Sequence, residues 1–380
     1  MSKKIISEVL LEVANAIETG NFGKKLKIGL TTLGSEHGVE NMLKGANLAK
    51  NDLFDIVLIG QGLEGFESYE TANEDEAHKV MEELLDKGEI AACVTMHYNF
   101  PIGVSTVGRV VTPAQGREMF IATTTGTSAT NRVEAMVRNA IYGLATAKSV
   151  GIKKPTLGIA NVEGARQTEK LLLELKEKGY DFDFAVSARA DGGSVMRGND
   201  LLMGVPDVMV MDSLTGNLFM KVFSSFTTGG DYEAHGFGYG PGIGENYDRR
   251  ILILSRASGA PVVANALKYA HDVAVGNVNE IAREEYKAAK NAGLDKQFED
   301  LKAKSAGAAK TEEVVAPPKE VVASQISGVD IMDLEDATKV LWKAGIYAEN
   351  GMGCTGPIVL VTSANKPKAK EILREAGLLS

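Results

Sequence analysis

Cys354 stands in the run Gly351-Met352-Gly353-Cys354-Thr355-Gly356-Pro357 and is one of two cysteines in the chain. The attacking species at a cysteine is the thiolate, and an ordinary thiol has a pKa of about 8.5. Backbone N–H groups in a glycine-rich turn lower that value and later hold the oxyanion of a thioester-forming step. Gly351, Gly353 and Gly356 leave the thiol open, and Thr355 can hydrogen-bond it, so Gly353 and Thr355 are read as oxyanion support. The alternative is a buried cysteine in a tight turn, and the flanking glycines favour the nucleophile. Cys93, in the apolar run 90–94, reads instead as a small buried hydrophobe.

Four other segments suit an anion. Ser255-Arg256-Ala257-Ser258-Gly259 follows the apolar run 251–254. The Arg256 fork, the hydroxyls of Ser255 and Ser258, and a helix starting near Gly259 all suit phosphate. A surface ion pair with a serine helix cap is the competing reading. The glycine-rich stretch 236–244, with Gly240 and Gly242 at its centre, reads as a loop whose N–H groups hold an anion, or as a mobile surface loop. A dinucleotide fingerprint is not met, because this stretch does not run from a strand into a helix. Gly216 and Asn217 close the polar turn 212–217, which either lines a crevice or caps a helix. The hydroxyl-rich run 123–131 reads as an oxyanion pocket or as a capping loop.

His37, His78, His97, His235 and His271 are scattered and show no spacing for a metal, so none is expected. His78 reads as solvated on a charged helix. His97 and His235 sit near candidate pocket segments, and an acid–base role and a structural role both stay open for them.

These groups need a scaffold, and the chain has the material for one. It has 380 residues, 44% hydrophobic, enough for more than one domain. A net charge of -9 argues against nucleic acid as the main partner. Two cysteines make no disulfide framework, which points to the cytoplasm, and no apolar run is long enough to span a bilayer. Apolar residues at helical spacing in residues 1–25 predict an amphipathic docking helix rather than a targeting segment.

From residue 26 short apolar runs alternate with helical stretches. Strands are expected at 26–32, 54–60, 90–96, 119–124, 156–160, 182–187, 207–212 and 251–255. Helices are expected at 36–50, 73–87 and 131–150, with further ones starting near Gly216 and Gly259. Continuous apolar strands alternating with helices predict an α/β fold, a mostly parallel sheet with helices on both faces. The main domain is expected at 26–276, followed by a charged, solvated helical segment and a linker at 277–325. The linker contains Pro317-Pro318. A small C-terminal α/β module carrying Cys354 is expected at 326–380, with helices at 333–344 and 366–376 and strands at 346–349 and 358–362.

The order of these motifs resembles PlsX-type phosphate acyltransferases and, more distantly, phosphate acetyltransferases. The block 206–217, Pro-Asp-Val-Met-Val-Met-Asp-Ser-Leu-Thr-Gly-Asn, is similar to a strand-turn block of the former. Gly238-Tyr239-Gly240-Pro241 and Ser255-Arg256 are similar to the Gly-Pro loop and active-site Ser-Arg element of the latter. This resemblance covers about two thirds of the chain and implies an isocitrate/isopropylmalate dehydrogenase-like fold. With the appended Gly-Met-Gly-Cys-Thr-Gly-Pro module, the whole arrangement resembles the component C family of glycine/sarcosine/betaine reductase complexes.

That resemblance implies phosphate attack on an acetyl thioester carried on Cys354, releasing acetyl phosphate. It also implies inorganic phosphate as substrate with no bound cofactor. The implied partners are a ketoacyl synthase-like component C beta subunit and the selenoprotein component A, in an oligomeric assembly. The alternatives are a PlsX-type enzyme acting on acyl carrier protein, which would not need Cys354, and a non-catalytic scaffold. A metal-dependent dehydrogenase ranks last, for want of a carboxylate cluster.

Overall fold

The computed structural model describes residues 10, 13–14, 25–190, 192–307, 314–322, 324–330, 333–353 and 356–379. The expected N-terminal helix falls almost wholly outside these residues. So do Cys354 and Thr355.

The chain begins its main sheet with β1 (Leu26–Thr31), α1 (Gly38–Ala49), β2 (Phe54–Gly60), β3 (Glu67–Glu70), α2 (Glu74–Asp86) and β4 (Ala92–Thr95). Next come β5 (Val104–Val111), β6 (Glu118–Thr127), α3 (Arg132–Ser149), β7 (Thr156–Ala160), α4 (Ala165–Glu177), β8 (Asp183–Phe184) and β9 (Val195–Met196). It continues through α5 (Gly198–Met203), β10 (Val208–Val210), α6 (Ser213–Ser225), β11 (Gly240–Ile243), β12 (Ile251–Ile253), α7 (Ala260–Val275), α8 (Val278–Asn291) and α9 (Leu294–Gly307).

The strands form one twelve-stranded sheet in the order β3-β2-β1-β4-β12-β11-β5-β6-β10-β7-β8, with β9 also on β7. β3, β2, β1, β4 and β12 are parallel to one another. So are β6, β10, β7, β8 and β9. Three antiparallel pairings, β12–β11, β11–β5 and β5–β6, join the two blocks. Three reversals leave the blocks running in opposite senses, so their carboxyl ends open on opposite rims.

Successive residues of a strand face opposite sides of a sheet. Ile56 and Leu58 therefore join one core with α1, α3 and α7, while Val57 and Ile59 join another with α2 and α6. Phe120 and Ala122 divide from Met119 and Ile121 in the same way. Both faces are buried, which is why the parallel strands read as continuous apolar runs. Polar residues start the helices where expected. Asn73 accepts from Glu76 N–H at 2.9 Å ahead of α2, and Asn131 accepts from Glu134 N–H at 3.0 Å ahead of α3.

Three expectations need correction. The glycine-rich stretch is no loop at its centre, because Gly240 and Gly242 lie inside β11, buried in the middle of the sheet. A Cβ on Gly240 would stand 1.7 Å from the Val107 carbonyl oxygen, and one on Gly242 2.4 Å from the Phe100 ring. Close strand packing, not an anion, therefore accounts for these two glycines. The segment 277–310 is not simply solvated, since Ala282, Tyr286, Ala289, Leu294, Phe298 and Leu301 join the main core. Lys148 pairs with Glu285 at 2.5 Å, and the Tyr180 hydroxyl donates to the same carboxylate at 2.9 Å. The hydroxyl-rich run 123–131 is part strand and part cap: Thr123, Thr124 and Ser128 are buried, the Thr124 hydroxyl donates to the Tyr239 carbonyl at 2.8 Å and stitches β6 to β11, and Asn131 caps α3.

Residues 314–322 carry neither helix nor strand, and Val315 and Val321 are exposed. They lead to β13 (Ser324–Ser327), α10 (Leu334–Lys343), β14 (Glu349–Gly353), β15 (Gly356–Val361) and α11 (Lys366–Glu375). The three strands are antiparallel in the order β13-β15-β14. Ile326, Leu341, Val359, Val361 and Leu373 form a core separate from that of the main sheet. Among the described residues, no helix is long and apolar enough to cross a membrane.

Candidate functional site

Ser255 follows β12 at its carboxyl end, where open parallel sheets bind ligands. α6 reaches it from the other block. Asp212 caps that helix, accepting from Leu214 N–H at 3.1 Å and Thr215 N–H at 3.0 Å. One turn in, Gly216 is required, because a Cβ would stand 1.8 Å from the Thr123 carbonyl oxygen. Asn217 donates to the Thr124 carbonyl at 3.1 Å. These contacts seat α6 on β6. Lys221 lies one further turn along, on the same face as Asn217. Its ammonium donates to the Ser255 hydroxyl at 2.8 Å.

The same ammonium lies 2.6 Å from Glu233, whose side chain is only 1% exposed. The Ser258 hydroxyl at 2.7 Å and the Tyr239 hydroxyl at 3.0 Å complete the Glu233 carboxylate. Burial, with the Glu233 charge beside it, pushes the Tyr239 phenol well above its ordinary range and keeps it a donor. Backbone bonds lock this corner: Glu233 N–H to the Ala257 carbonyl at 2.9 Å, and Gly259 N–H to the Glu233 carbonyl at 2.8 Å. The second bond uses the Gly259 amide. Pro261 supplies no N–H, so the start of α7 is a weaker anion site than the sequence suggests.

Arg256 turns the other way, toward the carboxyl ends of β1 and β4. Its guanidinium bonds Glu74 at 2.9 Å and the Gly34 carbonyl at 3.3 Å. Thr31, Glu74, His78 and Thr95 line a small pocket there. His78 is not merely solvated: its Nε2 lies 3.2 Å from the Thr95 hydroxyl, and burial lowers its pKa. The hydroxyl of Thr31 donates to that of Thr95 at 2.8 Å.

The two cations beside Ser255 differ in kind. Arg256 and Glu74 are both substantially exposed, and such a pair contributes roughly 0–1 kcal/mol, so an anion can take the place of Glu74. Glu233 cannot give up Lys221 at similar cost, because its charge would be left buried. Lys221 itself is 43% exposed, so one side of the ammonium is open to an anion.

Ser255, Arg256, Ser258 and Gly259 thus gather at one corner, with Gly216 and Asn217 one helical turn away from Lys221. Gly240 and Gly242 belong to the sheet beneath. Lys221 and Glu233 escaped the sequence reading, and Tyr239 figured there only as part of the Gly-Pro motif. The available signal was the i, i+4 step from Asn217 to Lys221; Glu233, in a polar loop, gave none. His235 bonds Thr227 at 2.7 Å and stacks on Phe226. Cys93 is fully buried, and burial pushes its thiol far up, away from reactivity. In the C-terminal module, Gly353 pairs with Gly356 at the end of the β14–β15 hairpin.

Residues 26–360 match the family model described as fatty acid synthesis protein. The chain is 65% identical, over 100% of its length and 99% of the other's, to the glycine/sarcosine/betaine reductase complex component C subunit alpha of Peptoclostridium acidaminophilum. It is 28% identical to a phosphate acyltransferase of Lysinibacillus sphaericus, over 52% of this chain and 70% of that one. Among solved structures, the EutD phosphotransacetylase of Staphylococcus aureus aligns with a TM-score of 0.41 at 13% identity, covering 70% of this chain and 98% of that one. The chain therefore belongs to the fatty acid synthesis protein family, within the branch of the reductase component C alpha subunits.

Proposed function

We propose that the chain is the acyl-transferring subunit of a glycine/sarcosine/betaine reductase complex and forms acetyl phosphate. The observation that carries this is the 65% identity that extends through the C-terminal module as well as the main sheet. The phosphate acyltransferase relative matches only 52% of the chain, so it does not account for the whole.

Cys354 carries the acetyl group as a thioester. A phosphate oxygen attacks the carbonyl carbon, the C–O bond forms, the C–S bond breaks, and the thiolate leaves. Gly353 and Thr355 support the oxyanion. Ser255 and Arg256 of a second copy position the phosphate, with Ser258, Gly259, Gly216, Asn217 and Lys221 around them, because within one chain the C-terminal module packs on the opposite rim of the sheet. Phosphate is a substrate, and the step requires no bound cofactor. The subunit works in the cytoplasm with a ketoacyl synthase-like beta subunit and the selenoprotein component A.

Incubating the purified protein with acetyl phosphate and arsenate tests the reading. Acyl transfer to arsenate gives an acyl arsenate that hydrolyses, so acetyl phosphate is consumed only when arsenate is present. A wild-type rate in Cys354→Ser contradicts the covalent step.

A further inference from the structure

The carboxyl ends of β7 and β9 open on the rim opposite Ser255, and a second cleft of about 200 Å³ lies there. One wall belongs to the main sheet, the other to the C-terminal module. Arg166, in the first turn of α4, Arg189, in the segment after β8, and Arg197, just after β9, line the first wall. Asp330, after β13, and Pro357, in β15, line the second.

The first wall is organised before any ligand arrives. The Arg189 guanidinium donates to the Ser187 hydroxyl at 3.1 Å, the Gly192 carbonyl at 2.9 Å and the Val195 carbonyl at 3.3 Å. Arg166 is paired with Glu169 at 3.0 Å, and Glu169 in turn accepts from the Ser194 hydroxyl. Arg197 is exposed, and its backbone N–H is fixed by Asp200 at 2.9 Å. Two carboxylates line the cleft, Asp330 and Glu163, and Glu163 is already paired with Arg132 at 2.9 Å. Three arginines from three separate segments line one concave space, and α4 starts beside it without an acidic residue in its first turn. Guanidinium forks match the oxygen geometry of phosphate.

We infer that this cleft is a second oxyanion site, separate from the Ser255 crevice, which takes a phosphate-sized dianion as free phosphate or as the phosphoryl group of an acyl phosphate. Its far wall belongs to the hairpin module. Pro357 lies three positions after Cys354, a reach of at most about 11 Å along the chain.

Calorimetric titration of the full chain tests this without any turnover. Inorganic phosphate and acetyl phosphate are titrated separately into the wild type, Ser255→Ala and the double variant Arg166→Ala/Arg197→Ala. These two arginines are chosen because both side chains reach solvent, and the double variant's melting temperature is recorded alongside. The double variant should weaken one site by about 10- to 100-fold, while Ser255→Ala leaves that site intact. Arg166→Lys/Arg197→Lys should recover part of the loss. Tighter phosphate binding identifies the free ion, and tighter acetyl phosphate binding identifies the acyl phosphate. Unchanged titrations in a folded double variant overturn the site, whereas failure of arsenate-dependent turnover alone contradicts only the acyl-transfer reading.

Discussion

At the carboxyl end of β12 charge is fixed by burial, while on the opposite rim it is fixed by the meeting of two bodies. Glu233 is almost fully enclosed and holds Lys221, Ser258 and Tyr239 at 2.6, 2.7 and 3.0 Å. In the arginine cleft the buried carboxylate is Asp330, on the C-terminal module, while Arg166 and Arg197 both reach solvent. The cleft's cations hang on a loop, a strand end and a helix start, and part of its enclosure comes from a module with its own core. The first region should therefore lose stability when a charge is removed, and the second should lose ligand and keep its stability.

The strongest way to break this contrast is Lys221→Met. It leaves the Glu233 charge buried and unpaired, at a cost of about 3–5 kcal/mol, read as a lowered chemical-denaturation midpoint. Adding Glu233→Gln should restore much of that, because the residual charge is gone. A double variant as unstable as the single one would mean that Lys221 acts through packing alone.

Gly240→Ala should cost about 3 kcal/mol, from the Val107 carbonyl in the way of the new Cβ and from a φ of 84°. A folded, fully stable variant would return the glycine to the anion-loop reading.

Asp212→Ala removes a cap with two backbone donors, worth about 1 kcal/mol of unfolding free energy. Arg256→Ala should change stability by no more than about 1 kcal/mol while weakening phosphate at the Ser255 crevice, because its Glu74 partner is a surface group.

The smallest effect is expected at His78. Burial lowers its pKa in the folded chain below the ordinary 6.5, so protonation favours the unfolded state. Its contribution is complete above pH 6.5 and is lost as pH falls below that. His78→Gln should flatten this part of the stability–pH profile.

Much of the scaffold was legible in the sequence. The apolar runs that became β1, β2, β4, β6, β7, β10 and β12 are buried on both faces, and their composition says so. β5 was missed because Ser105, Thr106, Gly108 and Arg109 interrupt its apolar pattern, although its pairings with β6 and β11 make it interior. β11 contradicts local propensity outright, since its Gly-Pro-Gly is held as strand by neighbours on both sides.

At the site, Ser255, Ser258 and Asn217 were legible from motif order, but Glu233 was not. Its role depends on residues 231–235 lying against 257–259, a contact with no periodic signature. Arg166, Arg189 and Arg197 were equally silent, because only the folding of β7, β9 and the C-terminal module brings them to one cleft.

The most direct measurement is the mass of the peptide that contains Cys354 after the intact protein has been incubated with acetyl phosphate and quenched in acid. An acetyl group on that peptide, released by added phosphate and absent in Cys354→Ser, is the predicted result. No adduct there, with acetyl phosphate still consumed in an arsenate-dependent reaction, would contradict a thioester on Cys354.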